Sequence, residues 1–390
     1  MQNVIKHRSI VTALIVCTVI LSFFNIEAVS AKSNNKPQAA PMLDAKAFPA
    51  FKLVQVTSGL SHPWAIAFLP DNRLLVTERS GNLRIVEQGK LSAPVENVPA
   101  SYVRSQGGLM DVVLHPDYKN NGWIYLTHAY GDADKNATRL FRAKLKDNAL
   151  VDVQTLFTVS PMKDTPVHYG GRITFLPDNT LVLTSGDGFD YREEAQKLDN
   201  LLGKMIRLND DGTIPTDNPF VGQAGKRDEI WSYGHRNPQG IVYDAQRKWL
   251  VSNEHGPKGG DEINIITAGK NYGWPVITYG RDYSGAIISP YTEYDGMQQP
   301  FVDWTPSIAP SSLTVYQGNM FPEINGDYLA SALKYRELRW VKMQGNKVVG
   351  QASLLKDLGE RIRDVNVAPD GAIYIATDST NGKIYKLIKH

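Results

Sequence analysis

The chain has 390 residues, 42 basic against 40 acidic side chains, a formal net charge of +2 and one cysteine, Cys17. That balance offers no basic excess for nucleic-acid binding. With Cys17 inside an apolar leader, the remainder has no thiol for disulfides or Cys-ligated zinc.

Lys6, His7 and Arg8 precede an apolar run from Ile10 to Phe24, and "AVSA" ends at Ala31. Positive charge, apolar stretch and small residues in that order read as a secretory signal peptide over 1–31. Cleavage there places the mature protein in the periplasm or outside the cell, with no transmembrane segment. The alternative is an uncleaved anchor, because the run is not far short of the ~18 residues that suggest spanning. Residues 32–48, "KSNNKPQAAPMLDAKAF", are polar with Pro and Ala and read as a flexible lead-in. Residues 49–390 are left as a single domain.

Within that domain one phrase recurs: "FLPDNRLLVTERSGNLRIVEQGK", "LHPDYKNNGWIYLTHAY", "FLPDNTLVLTSGDG", "YDAQRKWLVSNEHG", "PEINGDYLASALKYRELRWVKMQGNK" and "VAPDGAIYIATDSTNGKIYKLIK". Each has an apolar stretch, a Pro-Asp or Asn/Gly turn, a run of β-formers and often another strand, which is hairpin chemistry. About six copies at roughly 45 to 80 residues point to propeller blades. A closed ring buries each blade against its neighbours, which a pair of sandwiches would not require. The expectation is an all-β fold, a six-bladed β-propeller of four-stranded antiparallel sheets. "YREEAQKLDNLLGKMIRL" is the best helix candidate.

Loops at one end of such a ring converge on the axis, so distant residues can build one pocket. Gln106 precedes two glycines, and His168 stands beside a Gly-Gly pair that permits close approach. "GHRNPQG" holds Arg236 in a loop pre-set by Gly and Pro. Lys334, Arg361 and Arg363 add cations further on. Taken singly, each has a plain structural explanation: Arg361 and Arg363 alternate on a strand and could share a solvent face, and His168 could be a satisfied structural histidine. Gathered at one mouth they would repel one another, so a cluster implies a polyanionic ligand.

"HYGGRI", "GDG", "YGHRNPQG", "NEHGPKGGDEIN", "NYGWP", "SIAPSS" and "RIRDV", in this order, resemble the glucose/sorbosone dehydrogenase family, and within it the soluble aldose sugar dehydrogenases. The resemblance runs from about residue 50 to the C-terminus. It implies a six-bladed propeller binding pyrroloquinoline quinone (PQQ) and Ca²⁺. Arg236, Lys334, Arg361 and Arg363 match the family's cofactor-binding cations, and Gln106, Asn237 and Gln239 its polar contacts; Tyr283 and Trp304 are positioned to line the ring system. The carbonyls of Gly256 and Pro257 match ligands of a Ca²⁺ held with the cofactor. Glu262, the Tyr272 carbonyl and Asp282 suggest a second, structural Ca²⁺.

The implied reaction is oxidation of an aldose, mono- or disaccharide, at C1 to a lactone. His168 acts as general base, Arg236 meets the developing oxyanion, and the electrons pass to an external acceptor such as a cytochrome or quinone. Better-known soluble glucose dehydrogenases carry an acid before this histidine; here it is Val167, so the resemblance names no group to orient His168. A calcium-dependent lactonase or esterase propeller and a non-catalytic secreted recognition propeller are the alternatives. The lactonase reading leaves the cations unexplained.

Overall fold

The computed structural model describes residues 37 and 40–390; the leader read over 1–31 lies outside them. Six four-stranded antiparallel sheets account for nearly all the regular structure among the described residues. The innermost strands are Pro63–Phe68, Leu109–Leu114, Ile173–Phe175, Pro238–Asp244, Pro310–Val315 and Ile362–Val367. Each touches the next, and the last touches the first, which makes a six-bladed propeller. The final blade is completed by the first strand of the chain: Phe51–Leu60 pairs with Gly382–Lys389, Phe51 opposite Lys389.

Packing between blades explains why second strands such as Leu74–Glu78, Leu181–Ser185 and Tyr328–Ala332 are buried along their whole length. Both faces of each blade meet a neighbour, and the apolar residues fall into six clusters, one at each blade-to-blade contact. Outer strands keep a wet face, as the exposed middle of Ala149–Thr158 shows.

Two readings change. In place of a helix over "YREEAQKLDNLLGKMIRL", the chain makes a short 3₁₀ turn, Arg192–Gln196, then the buried strand Lys204–Leu208. Gly203 between them has φ 68°, and a Cβ there would lie 2.5 Å from the His235 carbonyl oxygen, so no helix passes through it. The lead-in also stops being free before residue 48: the Leu43 N–H donates to the Gln351 carbonyl at 2.6 Å, and Phe48 is buried edge-to-face on Trp340.

The fold fixes where the loops go. Crossings between blades deliver the start of each inner strand to one end of the ring, and loops joining second and third strands return to that same end. Gln106, His168, Arg236 and Arg361 lie in crossings; Gly256, Pro257 and Lys334 lie in second-to-third loops. A long excursion between Ile266 and Val302 climbs back to this mouth, where Arg281 bridges Lys258.

Candidate active site

The starts of the inner strands enclose a cavity of about 490 Å³ at the mouth, lined by Trp64, Gln106, Asn237, Gln239, Arg361 and Arg363 among others. Period-two geometry turns Arg361 and Arg363 the same way, and both reach one carboxylate oxygen, Asp378 Oδ2, at 3.1 Å. The other oxygen of Asp378 is 2.7 Å from His62 Nδ1. Burial opposes the charge on Asp378, but Arg363, His62 and Arg361 outweigh it and hold its carboxyl well below the usual range. Arg363 also donates to Ser311 Oγ at 3.2 Å and Gln239 Oε1 at 3.4 Å. Two guanidiniums against one carboxylate leave this wall positive, and Arg79 adds a further cation.

Opposite, His168 sits at φ 52° with its N–H donating to Gln106 Oε1 at 2.9 Å. Its Nδ1 donates to Asp187 Oδ1 at 2.7 Å, which leaves Nε2 as the free basic nitrogen. Asp187 Oδ2 in turn accepts from the Trp274 indole at 2.7 Å. Burial lowers the His168 pKa; Asp187 opposes this, while Arg236 and Lys163 reinforce it. Asp187 therefore orients the histidine in place of an acid at Val167. Gly186 makes the approach possible, because a Cβ there would fall 2.3 Å from the His168 carbonyl oxygen.

Arg236 is anchored by its backbone N–H to Glu254 Oε2 at 2.7 Å, and its Nη1 donates to the Gly256 carbonyl at 2.8 Å and that of His255 at 3.2 Å. Its guanidinium stands 5.3 Å from the Trp274 ring. Asn237 and Gln239 form a linked pair, Gln239 Nε2 to Asn237 Oδ1 at 3.2 Å. The Pro257 carbonyl accepts from Ser307 Oγ at 3.2 Å.

Beside Arg236 a very small cavity, about 10 Å³, is walled by Glu254, Gly256, Glu262, Tyr272 and Thr278. Burial, then the charge of Glu254, pushes the Glu262 carboxyl well above the ordinary range. Asn264 Nδ2 bridges both acids at 3.1 Å. Among the described residues no group of three or more His, Cys, Asp and Glu gathers round a point a metal could take, so Glu254 and Glu262 stand as a pair.

Four expected positions fall elsewhere, Tyr283 among them. Trp304 does not line the cavity: it is buried between blades and donates to Gln351 Oε1 at 2.7 Å. Asp282 is not with Glu262 and Tyr272 but at a separate outer cavity, with Tyr283. Lys334 is exposed, immediately after Leu333, which does line the mouth.

A family model described as Glucose / Sorbosone dehydrogenase matches residues 60–386. The chain belongs to that family. Over 350 residues it is 43% identical to aldose sugar dehydrogenase YliI of Escherichia coli, across 87% of this chain and 94% of that one. The apo-form crystal structure of the soluble aldose sugar dehydrogenase from Escherichia coli superposes with a TM-score of 0.85 at 41% identity, covering 87% of this chain and 100% of the other. The PQQ-bound form of an aldose sugar dehydrogenase from Streptomyces coelicolor superposes at 0.71 with 25% identity, covering 87% and 98%. In this glucose/sorbosone dehydrogenase, sequence reasoning missed Asp187, Glu254 and Asp378. The first had a visible signal, an acid between the glycines of "GDG" after an apolar strand.

Proposed function

We infer that the protein oxidises aldoses at C1 to lactones with PQQ and Ca²⁺, working in the periplasm or outside the cell after removal of residues 1–31. The observation that carries this reading is the His168–Asp187 pair at 2.7 Å beside a cavity whose far wall holds Arg361 and Arg363. Guanidiniums suit carboxylates and the amides of Gln106, Asn237 and Gln239 suit ring carbonyls, so the donor set fits a flat tricarboxylate quinone. When bound, that group supplies the two-electron acceptor for hydride from the sugar.

The chain's own residues do the rest. His168 Nε2 takes the proton of the anomeric hydroxyl, and Asp187 keeps the imidazole in the required tautomer and steadies the imidazolium. Arg236, held by Glu254 and Gly256, sets positive charge beside the base. Asn237 and Gln239 fix the floor through one another and through Gly170. For Ca²⁺ the better-supported point is the cavity between Glu254 and Glu262, since two buried carboxylates there lack a full counter-charge and room for about one small particle remains. Gly256 and Pro257 supply carbonyls for a second ion, which would share them with Arg236 and Ser307.

The test is reconstitution with PQQ and Ca²⁺, a panel of aldoses and a dye acceptor. Wild type is expected to turn over and His168→Ala to lose at least ~10²-fold in kcat with cofactor binding largely kept. Turnover unaffected by His168→Ala would move the base elsewhere. Failure of every sugar to reduce the cofactor would favour a lactonase or a recognition propeller.

A further inference from the structure

A second cavity, of about 250 Å³, opens at the mouth, walled by Phe189, Arg192, Arg236, Trp274, Asp282 and Tyr283 among others. Its neighbour on the other side of His168 is the cationic cavity: Tyr169 and Gly170 line that one, while the Phe189 ring stands edge-to-face 5.2 Å from the imidazole and lines this one. Tyr283 is 62% exposed and Phe189 43%, and their planes lie 21° apart with centroids at 6.4 Å, so the two rings form one continuous aromatic wall.

The wall is held in place by the base's own partner. Phe189 has φ 71°, a conformation a bulky residue keeps only where its surroundings enforce it. The Phe189 N–H donates to Asp187 Oδ1 at 2.8 Å, the same oxygen that receives His168 Nδ1. At the outer end Arg192 and Asp282 face each other at 3.9 Å and are half exposed; Arg192 Nε is taken by Glu193 and Asp282 Oδ1 by Ser284, which leaves the Arg192 Nη groups and Asp282 Oδ2 to meet hydroxyl groups. Flat apolar rings with a few charged groups at the rim are what a pyranose requires, its C–H face on the rings and its hydroxyls on the charges. A ring whose C1 hydroxyl reaches His168 fills the Phe189 end and leaves Tyr283 to the next ring.

We propose that Phe189, Tyr283 and the Arg192–Asp282 pair form a subsite for the second pyranose of an oligosaccharide whose reducing end is presented to His168. This rests on the aldose-oxidation reading above, and it moves Tyr283 from the cofactor wall to the sugar side. Tyr283→Ala is expected to raise KM for a 1,4-linked disaccharide about tenfold more than KM for its parent monosaccharide, and Tyr283→Phe to restore the ratio. A second arm needs no turnover: saturation-transfer NMR of the full chain with the methyl glycoside of that disaccharide. Contacts to the distal ring are expected, lost in Tyr283→Ala and kept in Tyr283→Phe. Equal KM changes for the two sugars, or distal contacts that survive Tyr283→Ala, would overturn the subsite. If wild type oxidises no aldose, the proposed function falls and the NMR arm alone decides the subsite.

Discussion

Asp187 carries three hydrogen bonds on its two oxygens, from His168, Phe189 and the Trp274 indole, so its position is over-determined while that of His168 depends on it. Asp187→Asn keeps the shape and removes the charge. Because burial already lowers the His168 pKa and Asp187 is what resists that shift, losing the carboxylate lowers it further. The acid limb of kcat/KM, expected below the ordinary histidine value of ~6.5 in wild type, should move to still lower pH in Asp187→Asn. Its plateau should fall by roughly 10²–10⁴, the imidazole being free to take the wrong tautomer. A pH profile checks both; an acid limb displaced upward, or a plateau at the wild-type level, would remove Asp187 from the mechanism. His168, Arg236 and Gln106 were readable because each sits in a Gly- or Pro-rich loop where a core residue has no business. Asp187 was visible only as an acid in "GDG"; its contact with His168 was not, because strand register, Ile173 opposite Leu183, is what brings the start of one strand and the end of the next together. Trp304 misled for the converse reason: composition marks an aromatic near a site, but pairing opposite Asp261 decides that its ring turns between blades.

Below the mouth, the inner strands are tied by one side chain. Arg172 Nη1 lies 2.9 Å from Asp364 and 3.3 Å from Asp111; its Nε donates to the Gln239 carbonyl at 2.8 Å, and its guanidinium covers Trp64 at 4.0 Å. The free oxygens of those acids accept the Ile66 and Ile173 N–H groups, each at 2.8 Å. Five of the six inner strands therefore share this node, and two of the residues it holds, Trp64 and Gln239, line the cationic cavity, while Arg172 and Asp111 line another of about 250 Å³. Arg172→Met would strand two buried carboxylates, of which Asp111 is already pushed up by burial and then by Asp364. Removing one partner of such a network costs about 3–5 kcal/mol. Denaturant unfolding should show that loss, and cofactor affinity should fall with it because Gln239 and Arg363 lose their support. A loss below about 1 kcal/mol would mean the acids simply protonate and the node is dispensable. The elements themselves were legible where turn chemistry announced hairpins. The third strand of the third blade was not: Lys204–Leu208 is buried on both faces and carries no alternation, and Lys204 hides its charge on the carbonyls of Glu194, Ala195 and Leu202.

At the scale of the whole ring, the site draws on every blade, from Trp64 in the first inner strand to Arg363 in the last, so its geometry holds only while the circle is closed. Closure rests on the pairing of Phe51–Leu60 with Gly382–Lys389 and on the cluster of Leu60, Ile66, Val76 and Ile384 that this pairing seals. Deleting 51–60 leaves Gly382–Lys389 as a bare edge and opens that cluster to water, both of which favour association with other chains. The deletion variant is expected to lose a single cooperative unfolding transition and cofactor binding together. A circular permutant that joins residue 390 to residue 50 through a short flexible linker, and opens the chain at the exposed loop 222–225, restores the same sheet with different ends and should keep both. Calorimetry and cofactor titration on the two proteins separate topology from chain order. If the deletion variant binds as tightly as wild type, the remaining five complete blades and three strands suffice to hold the mouth, and closure of the ring is not what sets its geometry.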